Sequence, residues 1–167
     1  STSGTALLLE TQHWTFQFFS NHIYLDIHWE LSARVAITFA KCSYGGLFLR
    51  MPFRAEVGAE VIHSEGLVRP EADGARARWV AVFMPLPARD DAAGIALFDH
   101  PGNPVYPSPW RVDGQFGVSP SRCILGEWSL AAGESAHEKY RLAIFNGDHG
   151  SIEEHWQIFS NLSWEDL

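Results

Sequence analysis

From residue 13 onward, large apolar and polar side chains change places at nearly every step, and this alternation limits what the chain can fold into. Across residues 13–19, Trp14, Phe16 and Phe18 point one way while His13, Thr15 and Gln17 point the other. Residues 24–29 and 34–39 repeat the pattern. A period of two puts successive side chains on opposite faces of a sheet, whereas a helix needs a period of 3.6. Ser20-Asn21-His22, between the first two runs, has the length and composition of a hairpin loop.

Further strands are predicted over residues 46–51, 60–63, 76–84, 94–98, 128–130 and 139–145. Pro52 lacks a ladder donor and should end the first of these. One helix is predicted near the end of the chain. Ser151 as N-cap and Glu154 three residues on fit a capping box, and Ile152, Trp156 and Phe159 form an apolar stripe at helical spacing. The expectation is an all-β chain, an antiparallel β-sandwich with one C-terminal helix, forming a single domain over residues 1–167.

Composition narrows the function classes. Apolar residues are 46% and charged residues 19%, which opposes disorder. A formal charge of −8 with no basic run opposes a nucleic-acid surface. The longest apolar stretches, such as 79–86, fall far short of the ~20 residues that span a bilayer. A soluble protein is expected, with the cytoplasm slightly favoured; the start at Ser1 reads either as a processed end or as an expression scar over residues 1–4. Cys42 and Cys123 form no CxxC pair and are read as two free buried thiols.

Residues 99–120 read as a long irregular segment holding five of the nine prolines. Within residues 99–110 (DHPGNPVYPSPW), four prolines fix φ, so Asp99, His100, Asn103, Tyr106 and Trp110 are held at little entropic cost. An acid, an imidazole, a carboxamide and two aromatics at a strand end suit a polyol, with polar groups meeting hydroxyls and a ring stacking on the sugar. An unperturbed imidazole titrates near 6.5, so His100 is the expected acid or base, with Asp99 or Asp148 to orient it and Arg50 or Arg111 to steady an oxyanion. Asn103, Tyr106, Trp110 and Arg111 are the expected binding residues. The alternative is a rigid structural loop in which Asp99 caps turns and His100 bonds to backbone.

No cofactor is expected. Asp99-His100 and Asp148-His149 could meet as a metal site, but with no HxH or HExxH spacing a metal is the weaker reading. His22 and His28 share a strand face by even spacing, read as solvated. Gly45-Gly46 reads as a bulge or tight turn.

Three stretches in order resemble a bacterial domain family of unknown function often labelled "methane oxygenase PmoA": residues 44–50, Trp79 with the 94–110 block, and residues 140–147. The resemblance marks Gly46, Arg50, Asp99, His100, Asn103, Pro104, Pro107 and Trp110. It implies a fold similar to the galactose-mutarotase type of large β-sandwich and an association with sugar catabolism; the methane-oxygenase label itself names a membrane copper protein, and this chain has no spanning segment. Arg111 stands where family members usually have His, which removes any His-based role there. Members are usually longer, so this chain looks like a C-terminal half. Half a sandwich leaves an apolar face or edge uncovered, and a homo-oligomer or companion subunit is expected. The leading functional expectation is an enzyme acting on a sugar or glycoside, as isomerase, lyase or hydrolase. The alternatives are a carbohydrate-binding module without chemistry and a structural subunit.

Overall fold

The computed structural model describes residues 4–50, 58–86, 91–115, 117–147, 150–163 and 165. The alternation at the start of the chain becomes a long hairpin. Strands β1 (Leu8–Phe18) and β2 (His22–Ala33) pair antiparallel without a break, from Leu8 opposite Ala33 to Phe18 opposite Ile23. The Phe19 N–H donates to the His22 carbonyl at 3.0 Å and closes the turn.

Short strand β3 (Ile37–Phe39) follows, then β4 (Glu60–His63), β5 (Trp79–Pro85) and β6 (Ala92–Asp99). After these come β7 (Trp110–Val112), β8 (Val118–Pro120), a 3-10 turn (Arg122–Ile124), β9 (Trp128–Leu130) and β10 (Ser135–Asn146). Helix α1 (Ile152–Ser160) is last. Six strands make the main antiparallel sheet in the order β1-β2-β10-β6-β5-β4. The pairs β3-β9 and β7-β8 are separate two-stranded ladders.

Both faces of β5 and β6 are covered, which is why they are apolar at almost every position. On one face Ile27, Val80, Val82, Leu97 and Leu142 pack with Trp110, Val112 and Val118 of the β7-β8 ladder. Further along that face, Leu31 and Ala136 meet Leu130. On the other face Ala96, Phe98, Ala143 and Phe145 lie with Ile152 and Phe159 of α1. Burying an aromatic such as Phe98 contributes roughly 1.5–3 kcal/mol. The fold is the expected all-β sandwich with one C-terminal helix. No helix among the described residues is long and apolar enough to cross a membrane.

Four local expectations are corrected. Residues 99–120 are not wholly irregular: the prolines end at 109 and 120, and Trp-Arg-Val between them forms β7 opposite β8. The strand over 46–51 reduces to one bridge, Leu49 to Val118, among the described residues; Met51 and Pro52 lie outside them. β5 starts at Trp79 because Arg76 bridges Pro109 and the Ala77 N–H donates to the Ser108 carbonyl. The Ser151 side chain makes no capping bond.

Candidate functional site

β6 and β10 pair as far as Asp99 opposite Tyr140, and there the ladder would run out. The Asn103 side chain continues it. Its Nδ2 donates to the Lys139 carbonyl at 2.8 Å, and its Oδ1 accepts the Lys139 N–H at 2.7 Å. The same Nδ2 reaches Asp99 Oδ1 at 2.7 Å, while Asp99 Oδ2 accepts the Ser108 N–H at 2.7 Å. Asp99 is 0% exposed. Burial pushes its carboxyl up to about 6, with the Asn103 and Ser108 bonds pulling the other way.

His100 is 5% exposed and lies beneath α1, edge-on to Phe159. Its Nδ1 accepts the Gly102 N–H at 3.0 Å and its Nε2 donates to the Leu162 carbonyl at 3.2 Å. Burial lowers its pKa. Trp110 is 0% exposed on the opposite face, its Nε1 bonded to the Ala77 carbonyl at 2.8 Å. Tyr106 is half-buried; its carbonyl accepts from Arg76. Arg111 pairs with Asp73 and stacks on the Tyr44 ring. Arg50 pairs with Asp113 at 3.3 Å and bonds Gln115 at 2.7 Å.

The structure therefore joins Asp99 to Asn103 and scatters the rest. The expected shared pocket of Asp99, His100 and Trp110 is not formed, because the side chains turn inward to complete the ladder, the helix seat and the core. The proline segment is a brace. Asp148 and His149, the second half of the weighed metal site, lie outside the described residues. Among the described residues no group of three or more His, Cys, Asp or Glu is placed to hold a metal ion.

A different set of polar groups does converge. Gln17 of β1, His22, Tyr24 and Asp26 of β2, Arg141 of β10 and His155 of α1 line a cleft of about 410 Å³. Phe19, Ile158 and Leu162 complete its lining. The register makes this assembly: Asp26 stands opposite Thr15 on one side and Arg141 on the other. Arg141 grips Asp26 through Nε at 2.5 Å and Nη2 at 2.8 Å, and Gln17 Nε2 adds a bond to Asp26 at 3.1 Å. Arg141 is 2% exposed and its guanidinium stacks over Tyr24 at 4.4 Å. The Tyr24 hydroxyl is hydrogen-bonded to His155 Nδ1. His22 lies 4.8 Å from the His155 ring and is stacked on Phe19.

Electrostatics in the cleft follow from burial and from Arg141. Burial, then Arg141, lowers the pKa of His22. Burial, then His22, lowers that of His155. Burial raises the Tyr24 phenol against the pull of Arg141. At neutral pH both imidazoles are neutral, so Tyr24 donates to His155 Nδ1 and the His155 proton sits on Nε2. The pair Arg141–Asp26 is locally neutral, and breaking it would cost about 3–5 kcal/mol by stranding a buried charge.

The sequence carried a signal for this site. In His22-Ile23-Tyr24-Leu25-Asp26 the polar members share one face. The even spacing of His22 and His28 reads as a solvated face, but α1 covers the end of it that holds His22 and Tyr24.

Among known proteins, no curated protein and no solved structure matches this chain. A model of a family described as "Family of unknown function (DUF6807)" matches residues 1–157. The match spans nearly the whole chain, and the protein belongs to this family.

Proposed function

We propose that the cleft between α1 and the β1-β2-β10 end of the sheet binds a neutral polyhydroxylated ligand of sugar size, with His22 and His155 exchanging protons with its hydroxyls. The observation that carries this reading is the coupling of Tyr24 and His155 directly above the neutralised Arg141–Asp26 pair. About 410 Å³ lies within the roughly 300–1,000 Å³ of small-molecule pockets. Among the described residues the one cation in the lining, Arg141, is already neutralised by a bidentate carboxylate, and the protein carries a charge of −8, which disfavours an anionic ligand. Hydroxyl groups suit the remaining donors and acceptors, and the exposed side of the Phe19–His22 stack offers a flat wall for a sugar ring.

The resemblance of the 94–110 block to the PmoA-labelled family, with its sugar-catabolic association and galactose-mutarotase likeness, supports the same ligand class. An isomerase-type reaction fits better than glycoside hydrolysis, because among the described residues one carboxylate, Asp26, lines the cleft and hydrolysis ordinarily uses two. A non-catalytic sugar-binding module is the second reading. It is favoured by the fact that Tyr24, Asp26, Arg141 and His155 already satisfy one another.

Calorimetry and anomer-exchange NMR against a panel of aldoses and ketoses test this. The expected result is binding of a neutral sugar, with turnover that His155→Gln lowers by about 100-fold or more while affinity moves only several-fold. Because the neutral imidazole is the working form, the rate holds above pH 6.5 and falls as pH drops through the lowered histidine pKa values. Binding without turnover leaves the module reading. Failure of every neutral sugar to bind removes both.

A further inference from the structure

Cys42 and Cys123 lie far apart in sequence, and the fold brings them together. The Cys42 N–H donates to the Cys123 carbonyl at 3.2 Å, joining the segment after β3 to the 3-10 turn after β8. That bond sets the two residues side by side, the arrangement a disulfide needs if it is to close without backbone movement. The two thiols are within hydrogen-bonding reach of each other, and Cys42 also donates to the Tyr44 carbonyl. Both are free; Cys42 is exposed and Cys123 is 5% exposed.

The approach is built into the backbone. Gly45 and Gly46 have φ of +150° and +130°. A Cβ on Gly45 would sit 2.7 Å from the Cys123 sulfur, and one on Gly46 would sit 2.6 Å from the Pro120 carbonyl oxygen. Only glycines let this segment lie flat on the cysteine, so the expected tight turn is a seat for Cys123.

We propose that Cys42 and Cys123 form a thiol–disulfide exchange site that takes a low-molecular-weight disulfide as its oxidant and closes to an intramolecular disulfide. The exposed Cys42 thiolate attacks one sulfur of the small disulfide. The S–S bond breaks, one small thiolate leaves and takes up a proton, and Cys42 carries a mixed disulfide. The Cys123 thiolate then attacks the Cys42 sulfur and expels the second small thiol. In balance, two protein thiols are oxidised by two electrons and one small disulfide is reduced to two thiols. Burial raises the Cys123 thiol pKa, with Cys42 adding to the rise, and shields it from the small disulfide, so its attack is confined to the neighbouring Cys42 mixed disulfide.

Closure pins the segment that carries Gly46, Leu47 and Phe48. These residues form one wall of a second groove of about 470 Å³ on the face opposite α1, whose other wall includes Glu10, Gln12 and Trp29. Oxidation would fix the shape of that groove. This proposal is independent of the sugar cleft, which shares none of these residues.

The test is to incubate the whole chain with glutathione disulfide near pH 8 and read thiol titre and intact mass without reductant. The expected result is loss of both titratable thiols and of two hydrogens, with no adduct retained. Cys123→Ser should stop at a stable glutathione adduct on Cys42, and Cys42→Ser should leave Cys123 largely unreacted. The oxidised chain should melt about 10 °C above the reduced one, since the bond closes a long loop. Two thiols surviving unreacted, or a wild-type product that keeps a glutathione adduct on Cys42, would overturn the proposal. If Cys123→Ser does not fold, the wild-type mass and thiol titre decide alone.

Discussion

Asp99 shows how a residue chosen for chemistry can be held for structure. Its two carboxylate oxygens accept from Asn103 and Ser108, and Asn103 in turn fills the rung that β6 no longer supplies to β10. The carboxyl is nevertheless pushed to about 6 by burial, so the fold prefers its protonated form. The sign follows: the stability gained from that preference is fully present below the ordinary value of 3.8 and is lost as pH rises through about 6. His100 runs the other way, since its lowered pKa leaves stability intact above 6.5 and removes it as pH falls. Comparing the parent with Asp99→Asn isolates the carboxyl. In urea unfolding, the parent should gain about 1 kcal/mol on the variant between pH 7 and pH 5. A difference that stays constant over that range would show that Asp99 titrates as an ordinary carboxyl.

Helix α1 is seated by a side chain that the sequence pattern did not single out. The capping-box reading gave the work to Ser151 and Glu154, yet the Ser151 hydroxyl makes no capping bond. Glu153 holds the helix start instead, accepting from Arg78 at 2.6 Å and from Trp79 Nε1 at 2.9 Å. Ser151→Ala should therefore cost less than about 0.5 kcal/mol, well below an engaged cap. Glu153→Ala should cost about 1 kcal/mol, a charge-assisted pair discounted for its partial exposure; equal costs in chemical denaturation would contradict this seating. The contrast also explains what the sequence made legible. Strands announce themselves by local pattern, alternation in β1 and β2 and an unbroken apolar run in β5, and the Ile152–Phe159 stripe announces the helix. The cleft is assembled across elements: Tyr24 and His155 are distant in sequence, and Arg141 meets Asp26 only through the β2-β10 register. Local spacing carries no register. The Asp99–Trp110 block misled for a related reason, because proline-fixed polar residues look the same in a binding loop and in a brace. Only the direction of each side chain separates the two.

At the scale of the molecule, the main sheet is finished unevenly. β1 is its terminal strand among the described residues, and its register with β2 contains no bulge, no proline and one acid, Glu10. These are the devices that ordinarily protect an edge from pairing with another chain, and they are nearly absent here. The face that β1 shares with Leu25 and Ile27 carries Trp14 at 42%, Phe16 at 55% and Phe18 at 74% exposure. Aromatics present roughly 150–250 Å² each, so this stripe leaves about 400 Å² of apolar surface in one place. That is about half of what a standard interface takes from each partner, and the unpaired edge of an eleven-residue strand can supply the rest as a backbone ladder. A second copy of the chain fits best, since an antiparallel β1–β1 contact is self-complementary and would bring few like charges together. Light scattering at tens of micromolar should then give a mass above the monomer's, and Phe16→Ser with Phe18→Ser should return it to the monomer without lowering the unfolding midpoint, because both rings already face solvent. A monomeric mass for the parent chain would leave this aromatic edge without a partner of its own kind.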